Sequence, residues 1–312
     1  MSNETPNAEK PDSSERRCGF VAVLGATNAG KSTLVNALVG CKVAIVSHKV
    51  QTTRVPVRGI AVEGQSQLVF IDTPGIFSPK RKLDQAMVEA AWGGMDDTDA
   101  IILLIDAAKG VDEDSAAIAA RLKTARAARI VVLNKVDRVE DKSKLLALTQ
   151  YLSTLMAFDR VFMISALDGT GVNDLKQYLA GLVPLGPWHY ADDDVTDLPI
   201  RQLAAEITRE RIYHWLHEEL PYATTVETTS WKTLKDGSAR LEQTIFVERD
   251  GQKSIVLGKG GATIKKISSE ARREIEEIAG HRIHLFLFVK VRDNWASDPE
   301  RYREMGLQFP KR

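Results

Sequence analysis

Cysteine is scarce in this sequence, with Cys18 and Cys41 the only two among 312 residues. They show no metal-ligand spacing, and a lone pair makes a poor disulfide framework, so reduced thiols in a reducing compartment are the simpler reading. A charge excess is also missing, because 42 Lys and Arg balance 42 Asp and Glu. Whole-chain charge therefore points to neither nucleic acid nor an anionic membrane, and such partners must be read from local patches. Long apolar runs are absent too. The most apolar stretch, Ile101–Ile105, falls far short of the roughly 20 residues that span a bilayer. The first seventeen residues lack the apolar centre of a secretory signal, and Glu4, Glu9, Asp12 and Glu15 argue against a mitochondrial presequence. Residues 1–17 read as a disordered tail. No segment repeats.

What is present is an alternation of short apolar runs with helical stretches from Gly19 to about Leu182. The runs Phe20–Leu24, Leu68–Ile71, Ala100–Ile105, Ile130–Leu133 and Val161–Ile164 suit strands buried on both faces of a mostly parallel sheet. Amphipathic segments such as Ser32–Leu38 and Ser115–Ala127 separate them, which predicts a doubly wound α/β layer over 18–183. Two prolines, a glycine and three consecutive aspartates in Pro184–Asp194 interrupt the pattern and predict a linker over 184–197. The second unit, 198–312, has a different order. A helix near Leu198–Glu219 precedes strands near Thr224–Thr229 and Ala239–Glu248. A short helix near Lys253–Leu257 meets the turn Gly258–Gly261; a helix from Thr263 to Ile278 and the alternating strand Arg282–Val291 follow. His281 and His284 read as residues on opposite faces of that last strand, outside any metal set.

The segment Gly25-Ala26-Thr27-Asn28-Ala29-Gly30-Lys31-Ser32-Thr33 is a phosphate loop between a strand and a helix. Its glycines turn backbone N–H groups toward phosphate oxygens, Lys31 reaches the β- and γ-phosphates, and Ser32 offers a hydroxyl to Mg²⁺. Asp72-Thr73-Pro74-Gly75 follows another apolar run. Asp72 stands where a carboxylate holds Mg²⁺ through water, and the Gly75 N–H can meet the γ-phosphate. Asn134-Lys135-Val136-Asp137 decides the base. The acceptor-only carboxylate of Asp137 suits the ring N–H and exocyclic amine of guanine and would be left unpaired by adenine. Lys135 can lie over the base plane, and Ser165-Ala166 offers a backbone N–H to the guanine carbonyl. The nucleotides are thus GTP and GDP. In Gln51–Val55, Thr53 is the favoured third Mg²⁺ ligand, with Thr52 the alternative. Lys31, Thr53 and Gly75 are the expected catalytic groups. Ile76, after Gly75, cannot hydrogen-bond an attacking water, so hydrolysis is expected to be slow until a partner helps.

Gly258-Lys259-Gly260-Gly261 between two helices has the form of the GXXG loop of a KH module, which clamps single-stranded nucleotides. Lys253, Lys259, Lys265 and Lys266 gather around it as phosphate contacts require. Charge adds little, since Leu198–Arg312 holds 20 basic and 17 acidic residues, a net of +3.

The order phosphate loop, QTTR, DTPG, NKVD and SA, joined to VLGKGGATIKKI, resembles the Era family of bacterial GTPases. The resemblance covers Gly19 to about Leu307, including Val195–Pro199, Glu219–Pro221 and Val289–Val291 with Trp295. It departs at Thr27, where members usually carry proline. It implies a Ras-like P-loop GTPase domain followed by an α+β, type II KH domain. It also implies a switch in assembly of the 30S subunit that holds the 3′ end of 16S rRNA. A cytoplasmic monomer that can associate peripherally with the inner membrane face completes that implication. The alternative is a non-catalytic, GTP-sensing RNA-binding module.

Overall fold

The computed structural model describes residues 15–310, other than 80, 94, 96, 294, 296 and 297. Most of the expected tail lies outside these residues, but Arg17 already belongs to a strand. The first half holds β1 (Arg17–Leu24), α1 (Lys31–Val39), β2 (Val57–Glu63), β3 (Ser66–Asp72), α2 (Lys82–Gly93) and β4 (Ala100–Asp106). It continues with α3 (Glu113–Leu122), β5 (Ala128–Asn134), α4 (Ser143–Leu155), β6 (Arg160–Met163) and α5 (Val172–Leu182). The sheet order is β2-β3-β1-β4-β5-β6, parallel except for β2. Every residue of β3 and β4 is buried, which is why they read as unbroken apolar runs. One face packs α1 and α5, with Leu34, Val35, Leu175 and Leu179 in its core. The other packs α3 and α4 through Ile118, Leu122, Leu145 and Leu152.

Strand β2 had no clear signal in the sequence. It is an edge strand, broken in pattern by Arg58 and Gly59, and Gly59 serves the helix above it. A β-carbon there would approach Val39 and Val35 to 2.8 and 2.9 Å. Helix α3 starts two residues earlier than expected, where the Asp112 carboxylate accepts from the Ser115 N–H at 2.8 Å, an N-cap.

The second half contains α6 (Ile200–Trp215), β7 (Thr225–Thr233), β8 (Ala239–Val247), α7 (Asp250–Leu257), α8 (Ala262–Ala279), β9 (Ile283–Val291) and α9 (Pro299–Glu304). The three strands lie in the order β7-β8-β9, the first pair antiparallel and the second parallel. Helix α6 stops four residues short of the expected Glu219, because Leu216 is extended and Glu218 has φ 55°. His281 is not on β9 as expected. It lies in the turn after α8, its ring Nδ1 2.8 Å from the Ala279 carbonyl. The alternation of β9 holds on its inner face, while Phe286 and Phe288 stand exposed on the other.

The segment 184–197 is pinned rather than slack. Buried Gln67 accepts from the N–H groups of His189 and Tyr190 at 2.9 and 3.0 Å. The Ile60 N–H donates to the Val195 carbonyl at 2.8 Å, and Arg58 pairs with Asp197 at 2.7 Å. The chain's last stretch then returns to the first half. Trp295, Tyr302 and Leu307 form one core cluster with Leu83, Ala86 and Met87 of α2. Trp295 is 1% exposed, and its indole N–H donates to the Ala223 carbonyl at 3.0 Å. Trp295→Ala should therefore cost about 3 kcal/mol and lower the thermal unfolding midpoint by several degrees in a calorimetric scan. An unchanged midpoint would show that this cluster is dispensable. No helix among the described residues is long and apolar enough to cross a membrane.

Candidate functional site

The loops after β1, β3, β4, β5 and β6 leave the C-terminal ends of parallel strands, where open α/β sheets bind ligands, and the segment carrying Thr53 joins them on its way from α1 to β2. The loop after β1 is forced close to its neighbours. A β-carbon on Gly25 would sit 2.5 Å from the Leu104 carbonyl, and one on Gly30 2.4 Å from the Asn134 amide. Gly30 also has φ 100°, where side chains are strained. Within the loop Lys31 is 7% exposed, and its ammonium donates to the Gly25 and Ala26 carbonyls, each at 3.0 Å. Burial lowers its pKa to about 8, against the opposing pull of Asp72. In the same loop Asn28 has φ 60° and donates to the His48 carbonyl at 3.0 Å; Thr27, Ala29 and Thr33 complete the segment.

The three residues expected to hold Mg²⁺ converge. Ser32 Oγ donates to Asp72 Oδ2 at 2.7 Å, Thr53 Oγ1 lies 2.9 Å from Ser32 Oγ, and Thr53 also reaches Asp72 Oδ2 at 3.3 Å. Thr52 is elsewhere, its hydroxyl donating to the Lys49 carbonyl at 2.9 Å. Asp72 is fully buried, and burial pushes its pKa up to about 6 although the Ser32 hydroxyl and Lys31 charge pull it down. Its second oxygen, Oδ1, has no hydrogen-bond partner among the described residues. A buried, unpaired carboxylate oxygen beside two hydroxyls is costly by itself and is the donor set of a hard divalent cation. The residues fit Mg²⁺.

After Asp72, the Thr73 hydroxyl donates to the Val23 carbonyl at 2.7 Å, and Pro74 and Gly75 are buried. Gly75 approaches the phosphate loop so closely that a β-carbon would meet Thr27 Cγ2 at 2.8 Å. The Ile76 side chain, 7% exposed, packs in the core with Ala22, Leu24 and Leu103, so it faces away from the loop.

The loops expected to read the base are cross-tied. Asn134 donates to the Ala29 carbonyl at 2.9 Å and accepts from the Ala166 N–H at 3.0 Å. That N–H, expected to face a guanine carbonyl, is thus already engaged, and the Ser165 N–H donates to the Thr170 carbonyl at 3.0 Å. Lys135, at φ 63°, donates to the Asn28 carbonyl and to Asp106 Oδ2, each at 2.7 Å. Asp137 stands exposed on a 3₁₀ turn, approached among the described residues only by Arg138 Nε at 3.9 Å. Asp106 was missed in the sequence, although an acid ending the apolar run Ala100–Ile105 repeats the pattern that marked Asp72. Arg54 and Arg209, both buried and both bonded near Thr53 across the two halves, carried no local signal.

In the second half, Gly258 (φ 73°, ψ 171°), Gly260 (φ 59°) and Gly261 (φ 77°) all adopt backbone that favours glycine. Lys259, Lys265 and Lys266 are exposed and Lys253 half-buried. Lys266 is partly spoken for, since its ammonium lies 4.6 Å from the centre of the Trp215 ring, a cation–π contact.

A mostly parallel sheet whose strand ends carry a phosphate loop, a metal-ready carboxylate and the Asn134–Asp137 turn defines a P-loop nucleotide-binding protein. The comparisons with known proteins narrow that class. The family described as "50S ribosome-binding GTPase" matches residues 20–135, and the KH domain family matches residues 219–296. A GTPase Era from a Bradyrhizobium species is 62% identical over 95% of this chain and 96% of its own length. The GTPase Era of Brucella suis is 59% identical over 99% of this chain and all of its own length. Among solved structures, an Aquifex aeolicus Era variant bound to GDP·AlF4⁻ superposes with a TM-score of 0.88 at 35% identity, covering 93% of this chain and 99% of that one. An Era in complex with MgGDPNP and nucleotides 1506–1542 of 16S ribosomal RNA gives 0.86 at 34% identity with the same coverage. The chain belongs to the Era family of GTPases.

Proposed function

We propose that this GTPase is a slow switch that binds the 3′ end of 16S rRNA through its KH loop and acts in maturation of the 30S subunit. The observation that carries the catalytic part is the convergence of Ser32, Thr53 and Asp72 around an unpaired buried oxygen. The RNA part rests on the KH match, on the positive-φ glycine loop beside Lys253, Lys259, Lys265 and Lys266, and on the rRNA held by the related Era. Cytoplasmic, monomeric operation and peripheral membrane contact rest on the family resemblance alone. The working division is a GTPase unit over 18–183, a linker over 184–197 and a KH unit over 198–312.

When bound, Mg²⁺ would supply positive charge beside the phosphate oxygens. Ser32 and Thr53 would hold it directly, and Asp72 through water. The Lys31 ammonium exchanges the Gly25 and Ala26 carbonyls for phosphate oxygens. The backbone from Gly25 to Thr33 supplies N–H donors, and Gly75, with no side chain between it and the loop, can donate its N–H to the γ-phosphate. Thr73 and Pro74 hold that approach in place. Asp137 accepts from guanine, Lys135 covers the base, and Asn134 keeps the phosphate loop and the Ser165–Ala166 loop together. Ala166 reaches the guanine carbonyl only by giving up or sharing its bond to Asn134. Ile76 lies in the core and orients no water, which is the physical basis for a slow rate.

The test is phosphate release from GTP and ATP, with and without an RNA ending in the 16S 3′ sequence. GTP should be hydrolysed slowly and ATP not at all. Equal turnover of ATP would overturn the base assignment, and crosslinking of the KH loop only outside small-subunit rRNA would overturn the RNA assignment. The two threonines give a sharper check. Thr53→Ala should slow single-turnover hydrolysis by about tenfold or more and raise the Mg²⁺ requirement, while Thr52→Ala should stay within about twofold.

A further inference from the structure

The segment from Val46 to Arg54 runs between the phosphate loop and α6 of the KH unit and is tied to that unit along its length. The Val46 N–H donates to Glu210 Oε1 at 2.7 Å, and the Lys49 ammonium donates to the Tyr213 and Leu216 carbonyls, the latter at 2.5 Å. The Tyr213 hydroxyl donates to the Gln51 carbonyl at 3.3 Å, and Arg54 spends its guanidinium on the Thr224 and Tyr222 carbonyls at 2.9 and 3.2 Å. The closest tie to the metal ligand is Arg209, whose Nη2 donates to the Thr52 carbonyl at 2.6 Å.

We propose that Arg209 of the KH unit is a positioning residue of the GTPase site, acting through the peptide that joins Thr52 to Thr53. The Thr52 carbonyl and the Thr53 N–H belong to one planar group. Fixing the oxygen therefore fixes the direction from which Thr53 enters the site, where its hydroxyl lies 2.9 Å from Ser32 Oγ. Arg54 holds the following residue from the same side, so Thr53 is bracketed by two buried guanidinium groups that both cross between the units.

The energetics of Arg209 argue for a role beyond KH stability. The residue is 2% exposed, it pairs with Glu206 one turn away, and its Nη1 has no partner among the described residues. A buried ion pair with an unpaired donor is a poor stabiliser compared with an apolar side chain of similar size. The apolar face of α6 is already packed by Leu203, Ile207 and Ile212. What Arg209 gains beyond α6, where its guanidinium also lies 5.5 Å from the centre of the Tyr213 ring, is a charge-assisted bond to a carbonyl of the other unit. By linkage, whatever draws Thr53 into the site also favours that contact, and the two effects are equal in size.

This inference rests on Thr53 being a metal ligand, so Thr53→Ala is the control. In the full chain, Arg209→Gln should slow single-turnover GTP hydrolysis about tenfold, the scale of one charged hydrogen bond, and raise the Mg²⁺ concentration for half-maximal rate. Affinity for GDP should stay within about twofold, and Arg209→Lys should recover part of the rate because it keeps one charged donor. If Arg209→Gln fails to fold, Glu206→Gln, which loosens the same guanidinium, should show the same split at about threefold. Wild-type hydrolysis and Mg²⁺ dependence in the folded variant would overturn the proposal. So would parallel losses of hydrolysis, GDP affinity and unfolding cooperativity, the signature of a purely structural role. Wild-type hydrolysis by Thr53→Ala would instead sink the metal-ligand reading itself.

Discussion

Asp137→Asn should exchange guanine for xanthine as the preferred base. Guanine presents a ring N–H and an exocyclic amine, both donors, to an acceptor-only carboxylate. An asparagine amide puts a donor against one of them, but it pairs well with xanthine, which has a carbonyl where guanine has its amine. Two charge-assisted bonds at about 1.5–3 kcal/mol each make the loss for GDP roughly 10²- to 10⁴-fold. The backbone should survive the change, because the turn is held by other groups. Val136 donates its N–H to the Ile164 carbonyl at 3.2 Å, and Arg138 donates to the Lys135 carbonyl at 3.0 Å. The carboxylate itself is held by no close hydrogen bond among the described residues. Calorimetric titration with GDP and XDP measures the exchange directly. Retention of GDP affinity within about threefold would show that the base is read elsewhere.

The legibility of this site follows from how local each signal is. The phosphate loop and the DTPG and NKVD segments each follow a doubly buried strand, so an apolar run in the sequence announces the loop that comes next. Thr53 was harder, because two adjacent threonines have the same chemistry. Only the close approach of one hydroxyl to Ser32 separates them. The Ala166 N–H was assigned to the base from its position alone, and its bond to Asn134 depends on two loops meeting in space. The same limit explains Arg54 and Arg209. Their partners in the opposite unit are more than 150 residues away, across units that the linker's composition had suggested were separate. Trp295, Tyr302 and Leu307 make the point again, since these side chains after β9 complete a core with α2 rather than with the KH sheet. Strand β2 stayed hidden for the opposite reason. Its pattern is local, but Gly59 is there to admit α1 and weakens the strand signal itself.

The glycine loop of the KH unit offers a test in which two similar substitutions should diverge. Gly258 combines φ 73° with ψ 171°, a region essentially closed to other residues. A β-carbon there would also meet Thr263 Oγ1 at 2.2 Å and the Thr263 backbone N at 2.8 Å. The hydroxyl could rotate away, but the backbone nitrogen opens α8 and cannot yield without moving the helix start. Gly260, by contrast, has φ 59° and ψ 25°, ordinary left-handed backbone, and open space around its α-carbon. An alanine at Gly260 costs only about 1 kcal/mol of conformational strain. Gly258→Ala should therefore weaken binding of a labelled 16S 3′-end RNA by about 100-fold in fluorescence anisotropy, while Gly260→Ala should weaken it only several-fold. Adding Thr263→Ala to Gly258→Ala should not restore binding, because the contact with the backbone nitrogen remains. GTP hydrolysis without RNA should be unchanged in both single variants, since among the described residues the loop makes no hydrogen bond to the phosphate site. Wild-type RNA affinity in Gly258→Ala would mean that the RNA is held by another surface of the KH unit.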